Sequence, residues 1–186
     1  MPVQPQASPH SGAALHPGIA RLRTLAFVGP AGAGKTSLLE ALLLQAGAIA
    51  SASTVERGNT VSDHDPLERR MQHSLQASVV HMDHAGLRIH AVDTPGSPDF
   101  IGQALPALEA ADTAVVVINA QNGIELMASR MLETAAVRGL CRLIVVNRID
   151  VPGVDLPALL AALQQTFGRE CLPLNLPAAG ASRVLD

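Results

Sequence analysis

Gly29-Pro30-Ala31-Gly32-Ala33-Gly34-Lys35-Thr36 decides how this chain folds. It reads G-x-x-x-x-G-K-T, the pattern of a phosphate-binding loop. The apolar run at residues 25–28 before it suits a buried strand, and residues 37–44 after it are rich in strong helix formers. A glycine-rich turn between a strand and a helix is the context that the pattern needs. Glycines let the backbone curl so that several N–H groups point inward at an anion. The new helix, which Ser37 helps to open, adds its positive end. Lys35 can reach the β- and γ-phosphates, and the Thr36 hydroxyl can ligate Mg²⁺.

Working outward, 186 residues suffice for one domain with a core, and 48% hydrophobic content is that of a globular chain. A net charge of −3 gives no bulk attraction to nucleic acid. With 2% aromatics and no Trp or Tyr there is no platform on which bases could stack, so direct sequence-specific nucleic-acid binding is not expected. Cys141 and Cys171 lie in apolar surroundings and are expected to be buried, reduced thiols of a cytoplasmic protein. No apolar run approaches the ~20 residues of a membrane span, and the N-terminus lacks a basic-then-apolar signal, so no membrane association is expected.

Residues 1–20 hold four of the 13 prolines and read as a flexible arm. A nucleotide-binding domain is expected over residues 21–170, and residues 171–186 read as the start of a further subdomain or a tail. Within the domain, strands are expected near residues 23–28, 77–84, 87–92, 113–119 and 141–146. Helices are expected at residues 37–45, 98–110, 125–138 and 156–167. The turn at Ala85-Gly86 makes the second and third strands an antiparallel hairpin. The run at 113–119 is continuously apolar, as in a strand covered on both faces, and residues 141–146 read as another buried strand. One more edge strand is expected within residues 172–177. Alternating strands and helices give an α/β fold: a three-layer α/β/α P-loop architecture, its sheet mostly parallel with one antiparallel edge strand. Residues 48–76 lose all periodicity, and beside a phosphate-binding loop they read as a mobile segment that orders around γ-phosphate and Mg²⁺.

Three loops are then expected at the C-terminal ends of parallel strands, where ligands of open α/β sheets bind. The first is the glycine-rich loop, the second Asp93-Thr94-Pro95-Gly96, and the third Asn147-Arg148-Ile149-Asp150. Asp93 can hold Mg²⁺ through water, and the Gly96 N–H can touch the γ-phosphate. The Asp150 carboxylate can accept two hydrogen bonds from guanine N1–H and its 2-amino group, a donor pair adenine lacks. Asn147 can hold the loop and the base edge, and the Arg148 stem can lie along the purine. Without Asp150 reading the base, a P-loop protein using ATP stays open. His81, His84 and His90 with Asp83 suggest a metal site, but strand alternation sets His81 and His84 on opposite faces. Arg69 and Arg70 could supply a charge-stabilising finger or simply be a solvated pair.

GPAGAGKTSLLEALL (29–43), GLRIHAVDTPGSPDF (86–100), AVVVINAQNGIE (114–125) and LIVVNRIDVPGVD (143–155) resemble the GTPase domain of translational GTPases. The likeness is greatest to elongation factor G and elongation-factor-G-like proteins, and it covers about residues 22–176. It implies a GTPase that binds GTP or GDP with Mg²⁺, hydrolyses GTP to GDP and phosphate, and works with the ribosome. The departures are informative. Ser97 stands where the family usually has the His that orients the attacking water, so the resemblance assigns the catalytic work to Lys35 and, in that place, Ser97. Intrinsic hydrolysis is then expected to be slow, and a GTP-binding module with little turnover is the alternative. Ser74 falls where the family's mobile loop has its Mg²⁺-reaching Thr. Gly32 replaces a frequent Asp that serves a monovalent cation, and Arg148 replaces a Lys. The family's small Ser-Ala guanine loop has no convincing match near Gly180-Ala181-Ser182, which reads as a G domain cut short.

Overall fold

The computed structural model describes residues 18–62, 65–71, 73–178 and 183–185. Most of the arm expected over residues 1–20 lies outside the described residues. The elements follow in order: β1 (Leu22–Val28), α1 (Lys35–Gln45), α2 (Pro66–Met71), β2 (Ser78–His84), β3 (Leu87–Asp93), α3 (Ile101–Glu109), β4 (Thr113–Asn119), α4 (Leu126–Val137), β5 (Cys141–Asn147), α5 (Leu156–Phe167), β6 (Leu176–Ala178) and β7 (Arg183–Leu185). The main sheet has the order β2-β3-β1-β4-β5. β1, β3, β4 and β5 run parallel, and β2 pairs antiparallel with β3 at one edge. This is the expected α/β/α architecture.

Strand alternation divides the core into two layers. Ala26 and Val28 face one way and pack with Leu108, Met131 and Leu163 of α3, α4 and α5. Phe27 faces the other way and packs with Leu39 and Leu43 of α1, together with Val80, Met82, Val115 and Val117. Sharp turns keep the connections short. Asp155 caps α5 by accepting from the Ala158 N–H at 3.0 Å, with Pro157 preset in the first turn. The Asp112 carboxylate accepts from the Thr24 N–H at 2.8 Å, fixing the start of β4 beside β1.

Four expectations are corrected. β5 is not a strand buried on both faces: it ends the sheet, and Leu143 remains 37% exposed. The Phe27 layer is covered by α1, with Ile49 and Val61 packed beside it, and α1 lies chiefly against β3. Cys141 is accordingly exposed at the start of β5, and Cys171 is half-buried; both are free thiols. The segment after residue 171 does not join the main sheet, because β6 pairs antiparallel with β7 as a separate two-stranded ribbon. The helix expected from residue 98 opens as a 3₁₀ turn over Pro98–Phe100 before α3 begins, and Pro106 lies inside α3.

Leu39 is fully buried at the centre of the Phe27 layer. Leu39→Ala is expected to lower stability by about 3 kcal/mol. The measurement is a lower urea midpoint with an unchanged m-value.

Candidate functional site: a phosphate and base cradle at one end of the sheet

The glycine-rich loop leaves β1 and turns directly into α1. Gly34, the residue before α1, takes a left-handed φ of 92°. Gly29 has φ 129°, and a side chain there would drive its Cβ closer than 3.0 Å to the Val117 carbonyl. Only glycine permits both the turn and the close approach to β4. Lys35 is 6% exposed, and its Nζ donates to the carbonyls of Gly29 at 2.9 Å and Pro30 at 2.8 Å. Burial lowers its pKa from 10.5 to about 8, against the opposing pull of Asp93 and then Glu125. An ammonium so desolvated gains more from an incoming anionic oxygen than an exposed lysine does. Pro30 and Ala33 are buried within the loop, Ala31 and Gly32 are exposed, and Ser37 is exposed in the first turn of α1.

The Asp93–Gly96 loop is fixed onto this cradle. The Thr94 hydroxyl donates to the Phe27 carbonyl at 2.7 Å, which ties the end of β3 to β1. Asp93 is buried, and its Oδ2 accepts from the Thr36 hydroxyl at 2.6 Å. Thr36 Oγ1 also lies 3.4 Å from Ser74 Oγ, with either hydroxyl able to donate. The three residues assigned to Mg²⁺ from sequence therefore meet at one point. Two hydroxyls and a carboxylate are hard oxygen donors that fit this cation. A Cβ on Gly96 would come closer than 3.0 Å to Ala31 N and Lys35 Nζ, so the Gly96 backbone abuts the cradle. Ser97 is half-buried and precedes the Pro98–Phe100 turn, its carbonyl accepting from the Phe100 N–H at 3.0 Å.

β5 brings the third loop to the same place. Asn147 Nδ2 donates to the Ala33 carbonyl at 2.9 Å, and its Oδ1 accepts from the Arg148 N–H at 2.9 Å. Its carbonyl accepts from the Ala120 N–H at 2.9 Å, which adds the end of β4 to the junction. Arg148 is forced to φ 58°, a left-handed conformation that costs a non-glycine residue on the order of 1 kcal/mol or more. Arg148 and Asp150 are both exposed beyond Asn147.

Residues 48–76 contain more structure than expected. A 3₁₀ turn spans Val55–Arg57, and α2 follows. Two buried carboxylates that sequence reasoning does not single out hold this segment. Glu40 of α1 accepts from the Val61 N–H at 2.6 Å, and Glu68 of α2 accepts from the N–H groups of Asp65, Leu75 and Gln76. Asp65-Pro66-Leu67-Glu68 is a capping-box signature with Pro at the first helical position, and that signal could have found Glu68. Elsewhere, His81 and His90 are cross-strand partners with ring centroids 6.2 Å apart, and Asp83 pairs with Arg88 on the exposed hairpin. Among the described residues no group of three or more His, Cys, Asp or Glu side chains is placed to hold a metal. No described helix is long and apolar enough to cross a membrane.

Comparison with known proteins agrees with this geometry. Residues 20–180 match the elongation factor Tu GTP-binding domain. The chain is 36% identical over 156 residues to an elongation factor G-like protein of Mycobacterium tuberculosis, covering 84% of this chain and 22% of that one. It is 36% identical over 163 residues to peptide chain release factor 3 of Listeria monocytogenes, covering 86% of this chain and 31% of that one. A crystal structure of a Thermus thermophilus protein superposes with a TM-score of 0.82 at 39% identity, over 86% of this chain and 24% of the other. The chain thus spans between a fifth and a third of the length of these relatives.

Two outcomes follow from the cradle itself. Gly96→Ala must displace loop backbone or the Lys35 amine, so phosphate affinity is expected to fall at least about tenfold in equilibrium binding of a nucleoside triphosphate. Lys35→Met removes the buried cation of the loop, so triphosphate binding is expected to be lost in the same equilibrium measurement.

Proposed function

Because the chain belongs to the family of elongation factor Tu GTP-binding domains, we propose that it binds GTP and GDP with Mg²⁺ and hydrolyses GTP in ribosome-linked translation. The whole protein would then act in the cytoplasm, as a factor of the elongation factor G type. The observation that carries this reading is the meeting of three loops. Asn147 of the third loop bonds to Ala33 of the first, and Gly96 of the second abuts Ala31 and Lys35. One nucleotide can therefore touch all three, with phosphates at residues 29–37 and Gly96 and its base toward Asn147, Arg148 and Asp150.

In the reaction, a water oxygen bonds to the γ-phosphorus and the bond from that phosphorus to the β–γ bridging oxygen breaks. GDP leaves with the bond's electron pair, and the water's proton goes to the phosphate product or solvent. Lys35 and the loop N–H groups offset the charge that builds on the phosphate oxygens. Mg²⁺, when bound, would neutralise more of that charge, and Thr36, Ser74 and Asp93 are the residues that would hold it. Positioning carries most of the catalysis in such sites.

Ser97 favours a second reading, a GTP-binding module that turns over slowly. A hydroxyl is a far weaker base than the imidazole usual at that place, and loss of general-base help typically lowers rates by roughly 10²–10⁴-fold. Single-turnover phosphate release with and without ribosomes separates the two. Ribosome-stimulated turnover supports the enzyme, and its absence supports the module. On the second reading Ser97→His is expected to raise single-turnover hydrolysis at least about tenfold.

Equilibrium binding in Mg²⁺ tests the shared premise: GTP and GDP are expected to bind far more tightly than ATP. Asp150→Asn is expected to weaken GTP by about 10²-fold or more and to shift preference toward xanthine nucleotides. Equal binding of GTP and ATP by the parent chain would remove the guanine reading.

A further inference from the structure

We propose that Glu68 is a positioning residue that holds Ser74 against Thr36 and Asp93, so that the Mg²⁺-facing part of the 48–76 segment is already formed before nucleotide arrives. The proposal rests on the placement of Ser74 in the metal site given above. Glu68 is 3% exposed, although it lies on a helix of six residues at the surface. Its carboxylate is occupied on both oxygens. Oε2 accepts from the Asp65 N–H at 3.1 Å, which closes the start of its own helix. Oε1 accepts from the N–H groups of Leu75 at 2.8 Å and Gln76 at 3.0 Å. The Glu68 backbone carbonyl accepts from the His73 N–H at 3.3 Å.

These bonds flank Ser74 on both sides in sequence. Residues 73, 75 and 76 all donate to Glu68, and the one residue between them turns its hydroxyl to within 3.4 Å of Thr36 Oγ1. A carboxylate suits the task, because it only accepts, and three backbone donors converge on it. A carboxamide cannot replace it. Glutamine would keep one acceptor oxygen and turn an N–H₂ group toward at least one backbone N–H, leaving donors facing each other. The segment would lose either the closure of α2 or the anchoring of residues 75 and 76.

Coupling to Mg²⁺ distinguishes this role from a general structural one. The carboxylate of Glu68 is spent on the amides of residues 65, 75 and 76, and it bonds neither Lys35 nor the loop carbonyls that Lys35 uses, so phosphate binding without metal is expected to be nearly independent of it. Three measurements on the chain decide the matter. In the unmodified, ligand-free chain, the Leu75 and Gln76 amides are expected to exchange hydrogen at least about tenfold more slowly than exposed loop amides. Free exchange at both would overturn the proposal without any variant being made. In Glu68→Gln, the Mg²⁺ concentration for half-maximal GTP binding is expected to rise about tenfold, as in Ser74→Ala. GTP affinity in EDTA is expected to stay within about twofold of the parent. The double variant is expected to be no worse than either single one, because both remove the same contact.

If Ser74→Ala raises the Mg²⁺ requirement and Glu68→Gln does not, the assignment to Glu68 fails while the metal site stands. If Ser74→Ala leaves the requirement unchanged, the metal placement of Ser74 fails and this proposal falls with it. If Glu68→Gln weakens GTP equally in EDTA and in Mg²⁺, Glu68 is a general structural residue and the proposal is overturned.

Discussion

The site depends on one constraint: a turn between β1 and α1 tight enough to keep a lysine amine out of water, bonded to the carbonyls of the turn itself. The fold meets it by placing the turn at the C-terminal end of a central strand. β1 has β3 on one side and β4 on the other, so the turn is held from both flanks. Gly29 touches β4 directly, which is why no side chain fits there. Lys35 is the element out of balance, with burial outweighing the support of the nearby carboxylates. A protein stores that imbalance only where the surrounding packing fixes it, and here Leu39 and Leu43 anchor the helix that Lys35 begins.

The other two loops are organised relative to that turn by single hydrogen bonds with large sequence separations. Thr94 reaches back to Phe27, which joins the end of β3 to β1, and Asn147 reaches Ala33, which joins the end of β5 to the glycine-rich loop. In each case a short polar side chain at or just past a strand end donates to a backbone carbonyl of a neighbouring segment and so sets the height of its loop. The strained φ of Arg148 follows from the same economy, since Asn147 must fold back on its neighbour's N–H to hold its own amide toward Ala33.

Much of this was legible in the sequence, and the reasons are local. The glycine-rich loop, the hairpin turn at Ala85-Gly86 and the apolar run of β4 each obey a rule that a few adjacent residues satisfy. The boundaries of β4 and α5 were read to the residue for that reason. The placement of Ser74 beside Thr36 was legible only through the family resemblance, because nothing in residues 71–74 marks a contact with a residue 38 positions earlier. The edge position of β5 was hard to read, because four apolar residues at 143–146 suggest a buried strand and Arg142 alone hints at exposure; the strand order shows that nothing pairs with its far side among the described residues. The buried Glu40 was missed because charged residues usually face water and its partner is a backbone group that leaves no trace in composition, whereas Glu68 left a local trace, the capping box at residues 65–68, that the reading passed over.

Those two carboxylates also bear on how the 48–76 segment can change shape. Apart from Val61 and Ile49 against the Phe27 layer, little of it is held by apolar burial. Among its ties are carboxylate-to-amide bonds from Glu40 and Glu68, the Ser78 hydroxyl donating to the Ser62 carbonyl, and the hydroxyl contact at Thr36. Each such bond is short-ranged and contributes about 1.5–3 kcal/mol at most once water competes for the same groups. A segment held by a few bonds of that size opens with a free energy well below that of the whole domain, where dozens of packed side chains must part together. It therefore sits in the range that the differential affinity of a ligand can tip. A segment fastened by leucines would be fixed in one arrangement, and one fastened by nothing would have to be ordered entirely by the ligand. Charge-assisted bonds to backbone amides lie between those limits, which is the physical condition for a loop that is formed without nucleotide and still free to let go.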